Sequence, residues 1–174
     1  NLQLTSYPTY QSPIRTFQEL GISTENIDSQ RLRFERKRLL LEIQISSTQT
    51  TTIGDKELSK NDVIELFDEL EQVTHLDYHT SIFNHSKLLL LLEKSEVSTE
   101  KVESKDKIRF ETQEEWDVFI AFISPYLAES IDKLLSKVIR KSSFKELDEI
   151  RSFFKLLTTR DSFYAFRKLN NFCE

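Results

Sequence analysis

Apolar residues are densest between Gln113 and Thr158, where spacings of three and four predict helices. Trp116, Phe119, Ile120 and Ile123 mark one side of the first, with Val118 and Phe122 opposite, the pattern of a helix buried nearly all round. Ser124-Pro125 predicts a break and a fresh start, because proline suits a first helical turn and the serine hydroxyl can cap it. The next helix carries Leu127, Ile131, Leu134, Leu135 and Val138 on one stripe, with Glu129, Asp132, Lys133, Ser136 and Lys137 facing water. A third start lies at Ser142-Ser143, where Glu146 completes a capping box ahead of Leu147, Ile150, Phe154 and Leu157.

The first half alternates helix and strand patterns. Residues 1–24 hold two of the prolines and Gly21, and predict an extended N-terminal arm strapped across the core, with a short helix from Pro13 to Leu20. A helix is predicted from Glu25 to Arg38. Beyond it Leu39, Leu41, Ile43 and Ile45 alternate with Leu40, Glu42 and Gln44, the period of a strand. The threonine-rich stretch to Thr52 and the segment Ile53 to Leu58 predict an antiparallel hairpin turning at Gly54-Asp55. Ser59 and Asp62 form an acidic capping box before the stripe Val63, Leu66, Phe67 and Leu70. A short helix over His75 to Phe83 and a leucine run capped by Ser86 follow. The fold class expected is α+β and predominantly α-helical, with a small hairpin in the N-terminal half and a helical C-terminal half. Its organisation is the arm 1–24, a mixed segment 25–93, a polar connecting loop 94–111 and helices over 112–174, one domain with two lobes.

Composition supports that class. Two glycines and three prolines in 174 residues leave few turns for a many-stranded sandwich or barrel. The net charge of −5 is mixed in sign and argues against a general nucleic-acid surface. Apolar runs such as Leu88 to Leu92 are far short of the ~20 residues a membrane span needs. Cys173, the single cysteine, cannot form an internal disulfide and fits a reducing, cytoplasmic setting. The chain has no methionine, which points to a fragment or processed form of a larger protein.

Candidate chemistry is sparse. His75 and His79 stand one helical turn apart with His85 close behind, and a metal-dependent enzyme would draw on these three. Leu76 occupies the glutamate position of an HExxH protease motif, so no general base accompanies the pair. Arg31, Arg33, Arg36, Lys37 and Arg38 form a basic cluster that could meet nucleic acid, yet helical geometry scatters them around the axis and Glu25, Glu35 and Glu42 can pair with them. No phosphate-binding glycine loop or nucleophile motif appears. No catalytic residue, metal or cofactor is assigned. The aromatic tail divides in two: Phe166, Leu169 and Phe172 suit a closing element of the core, while Phe163 and Tyr164 join Phe153 and Leu156 in an apolar patch for a protein partner, self-association included. The expectation is a non-catalytic protein-interaction or scaffolding module, with a nucleic-acid-associated accessory domain as the alternative.

Overall fold

The computed structural model describes residues 9–98, 100, 108 and 110–141, which comprise six helices and one two-stranded sheet. The α+β, mainly helical class is what is found. The chain divides into two compact units, Ser12–Asn84 and a second that takes the residues before Ser12 and from His85 onward.

In the Ser12–Asn84 unit, α1 (Pro13–Glu19) starts at Ser12, whose hydroxyl accepts from the Arg15 N–H at 3.3 Å, with Pro13 in the first turn where its missing N–H costs nothing. Leu20 ends it, and Gly21 follows at φ +73°. α2 (Ser29–Ile45) is capped by Asp28, whose carboxylate accepts from the Arg31 N–H at 2.7 Å. The residues from Leu39 to Ile45 therefore continue the helix and are not a strand. Leu32, Leu39 and Ile43 bury one face at helical spacing while Leu41 and Ile45 stay exposed, and this two-sided distribution is what mimics a period of two.

β1 (Thr50–Ile53) and β2 (Lys56–Ser59) pair antiparallel, with Thr51 opposite Leu58 and Ile53 opposite Lys56. The loop between them is Gly54-Asp55, as the sequence predicts, and Gly54 supplies a φ of +53°. Ser59 ends β2 and caps α3 (Lys60–Glu71). Its hydroxyl accepts from the Asp62 N–H at 3.2 Å while Asp62 accepts from the Ser59 N–H at 2.7 Å, a complete capping box. α4 (His75–Asn84) completes the unit. Ile14, Phe17, Leu32, Leu39, Ile43, Ile53, Leu58, Val63, Phe67 and Leu70 make one core, with Phe17 and Phe67 in ring contact at 5.3 Å.

In the other unit, α5 (Ser86–Lys94) buries Leu88, Leu89, Leu91 and Leu92. His85 caps it, its Nδ1 accepting from the Leu88 N–H at 3.1 Å, so the cap lies one residue ahead of Ser86. α6 (Gln113–Lys141) packs on α5, and the Ser130 hydroxyl donates to the Leu92 carbonyl at 3.2 Å. α6 runs unbroken through Pro125, contrary to the expected break. Trp116, Phe119, Ile120, Ile123, Leu127, Ile131 and Leu134 are buried in one continuous stripe whose phase the proline does not disturb. The Ser124 hydroxyl donates back to the Ile120 carbonyl, one turn earlier, and does not cap a new helix. Ahead of Ser12, Tyr10 is buried edge-on against Tyr126 at 5.1 Å, and Thr9 accepts from Lys133 at 3.0 Å.

Candidate functional site

The stripe that seats α3 on the core puts Val63, Phe67 and Leu70 inward and leaves Glu69 on the flank of the last turn. The chain then reverses in three residues. The Gln72 N–H bonds the Glu69 carbonyl at 3.3 Å, Thr74 takes a φ of +71°, and the His75 N–H bonds the Gln72 carbonyl at 3.2 Å. A positive φ on a β-branched residue is an outlier that the surrounding fold must enforce. The reversal brings the first turn of α4 beside the last turn of α3, where His75 and His79 share one face.

Glu69 Oε1 lies 2.8 Å from His75 Nδ1 and 2.9 Å from His79 Nε2. An ionised carboxylate only accepts, so both ring nitrogens carry the shared protons. His79 is 2% exposed, whereas the side chains of Glu69 and His75 are 31% and 24% exposed. Burial acts first on Glu69 and would raise its carboxyl, but the hydrogen bonds from His79 and His75 prevail and hold it below the ordinary value. Burial depresses the His79 imidazole despite the raising influence of Glu69. The three ligand atoms lie within 4.8 Å of one another. His85 is not one of this group, its Nδ1 being spent on the α5 cap. The sequence placed the two histidines on one face but did not connect Glu69 with them.

The basic cluster separates into spent and available charges. Arg31 and Arg38 both reach the buried Glu35, at 3.1 and 2.8 Å, and Arg38 also meets Glu42 at 3.3 Å. Arg36 crosses to α3 and bonds Asp68 at 2.8 Å and Glu71 at 3.1 Å. Arg33 and Lys37 have no ion pair among the described residues. Beside them on the side of α2 away from the core, Phe34, Leu41 and Ile45 are 62%, 52% and 84% exposed. Arg33, Arg36, Lys37, Leu40, Leu41 and Gln44 line an open groove, which shares Leu41 with that exposed set.

The patch expected at Phe153, Leu156, Phe163 and Tyr164 lies outside the described residues, as do the Ser142-Ser143 helix start and the tail. No helix among the described residues is long and apolar enough to cross a membrane. Comparison of the chain with protein-family models, with curated proteins and with solved structures finds no match.

Proposed function

We propose that this chain is a non-catalytic protein-interaction module and that the outer side of α2 receives an amphipathic helix flanked by carboxylates. The observation that carries the reading is the placement of Phe34, Leu41 and Ile45 in the open along one side of a helix, next to Arg33 and Lys37 with no ion pair among the described residues. Large apolar side chains aligned at helical spacing offer the anchors that a partner helix buries in a groove. The two cations set its charge and orientation. Nucleic acid is the weaker reading, because Arg31, Arg36 and Arg38 already neutralise carboxylates. Arg33 and Lys37 alone would release few counterions, with a salt slope of only about −2.

The test uses two fluorescent synthetic helices with the same leucine stripe, one flanked by glutamate and one by lysine. Fluorescence anisotropy should show the glutamate form binding more tightly, with Phe34→Asp and Leu41→Asp each weakening it and Ile139→Asp, at an exposed position of α6, leaving it unchanged. Binding of neither peptide, or binding indifferent to the two α2 substitutions, would overturn the reading. So would a concentration-dependent dimer abolished by Phe34→Asp, or capture by anionic vesicles in place of the peptide.

A further inference from the structure

We propose that Glu69, His75 and His79 bind a divalent transition-metal ion, zinc in the first instance, as a clamp between the end of α3 and the start of α4. Two imidazoles and one carboxylate are the donor set of many zinc sites, and they equally suit cobalt, nickel and copper. In a tetrahedral site with metal–ligand bonds of about 2.0–2.1 Å, neighbouring donor atoms stand roughly 3.3 Å apart. Glu69 Oε1 is now 2.8 and 2.9 Å from the two nitrogens, and the full set spans no more than 4.8 Å. Drawing the carboxylate back by about half an ångström, a side-chain adjustment, brings its distances to both nitrogens to that value.

The elements around the group fix two of its three donors. Buried His79 is held by packing, and His75 is set at the first position of α4 by the turn that Thr74 closes at φ +71°. Partly exposed Glu69 and His75 leave a path from solvent, and water can complete the coordination from the same side. The ring nitrogens that now donate to Glu69 are those that would turn to the metal, so each imidazole moves its proton to its other nitrogen on binding. A neutral imidazole releases no proton in that exchange. Leu76 occupies the place from which a glutamate would activate the water in a helix-borne HExxH site. The site therefore reads as a structural clamp.

Cobalt and zinc, each added alone to the metal-free chain, are the probes. Isothermal titration should show one ion per chain, cobalt should give the d–d absorption of a low-coordinate nitrogen and oxygen site, and zinc should raise the thermal midpoint. Because His79 is buried, the substitutions are made at its two more accessible partners. Glu69→Gln and His75→Gln should each weaken binding about tenfold or more, by analogy with the loss that follows disturbance of even outer-sphere partners. His85→Gln should leave it unchanged. Far-UV circular dichroism identifies any variant that fails to fold, and the remaining one then decides. No uptake by the folded wild type, uptake undiminished in the folded variants, or uptake lost with His85 would overturn the assignment.

Discussion

The charge arrangement on α2 makes a prediction in which removing less costs more. The Glu35 side chain is 6% exposed, and its two oxygens take Arg31 Nε at 3.1 Å and Arg38 Nε at 2.8 Å, while the arginines themselves are 48% and 42% exposed. Unit charges about 4 Å apart attract by ~4 kcal/mol at an effective dielectric constant of about 20. Desolvation of the buried carboxylate cancels most of that gain. Arg31→Ala or Arg38→Ala alone leaves one guanidinium on Glu35 and should cost about 1 kcal/mol. Removing both strands a buried carboxylate and should cost about 3 kcal/mol, more than the two single changes together. Glu35→Leu removes the buried charge and leaves two arginines that water can solvate, so it should fall within about 1 kcal/mol of wild type. Added to the double arginine variant, the same change should restore most of the lost stability. Urea titration followed by far-UV circular dichroism gives these differences from midpoints at a common slope. If the double variant costs no more than the sum of the single changes, or if Glu35→Leu fails to rescue it, the arginines act through packing or helix propensity and the electrostatic account is wrong.

Phe67→Ala, at a fully buried ring in contact with Phe17, should destabilise by about 3–5 kcal/mol in the same titration. Ser59→Ala removes the hydroxyl half of the α3 capping box and should cost ~1 kcal/mol. Thr74→Gly should stabilise by about 1 kcal/mol, because glycine adopts the φ of +71° without the penalty a β-branched residue carries, and a loss there would show that the Thr74 side chain is needed. Acid should weaken the fold in two stages. His79 titrates lower in the folded chain than its ordinary value near 6.5, so the unfolded chain takes up the proton first. Stability is then full well above that value and falls as pH drops through it toward the lower value of the folded chain. Glu69, also depressed, removes more below its ordinary value near 4.5. Urea midpoints at stepped pH read both limbs, and a flat upper limb would contradict the burial assigned to His79.

Local signals carried much of the fold. Gly54-Asp55 between β-prone segments, Ser59 with Asp62, and the stripe from Val63 to Leu70 each bring their own physical cause within a few residues, and each appears where the sequence places it. Pro125 misled because its local preference is for a helix start, whereas the stripe from Trp116 to Leu134 keeps one phase across it and burial of that stripe outweighs one lost backbone bond. The His75 and His79 spacing was legible for the same local reason. Glu69 was not, since it belongs to another helix and reaches them only through the reversal at Thr74. A carboxylate in the last turn of one helix, a three-residue link and a histidine opening the next helix is the pattern that could have pointed to it.

The misread segment of α2 and its proposed docking side have one origin. Leu39 and Ile43 face the core, Leu41 and Ile45 face out, and together the four produce the alternation that resembles a strand. A helix that only had to cover the core would carry polar residues on its outer side. Burying a leucine, isoleucine or phenylalanine is worth about 1.5–3 kcal/mol, a gain that exposed Phe34, Leu41 and Ile45 leave unrealised in the chain by itself. Arg33 and Lys37 beside them make that surface a poor match for a plain apolar partner and a good one for an apolar stripe edged with carboxylates. The apolar residues would then supply the affinity and the two cations the choice of partner, which is why a charge reversal at Lys37 should impair discrimination between the glutamate and lysine peptides more than it impairs folding.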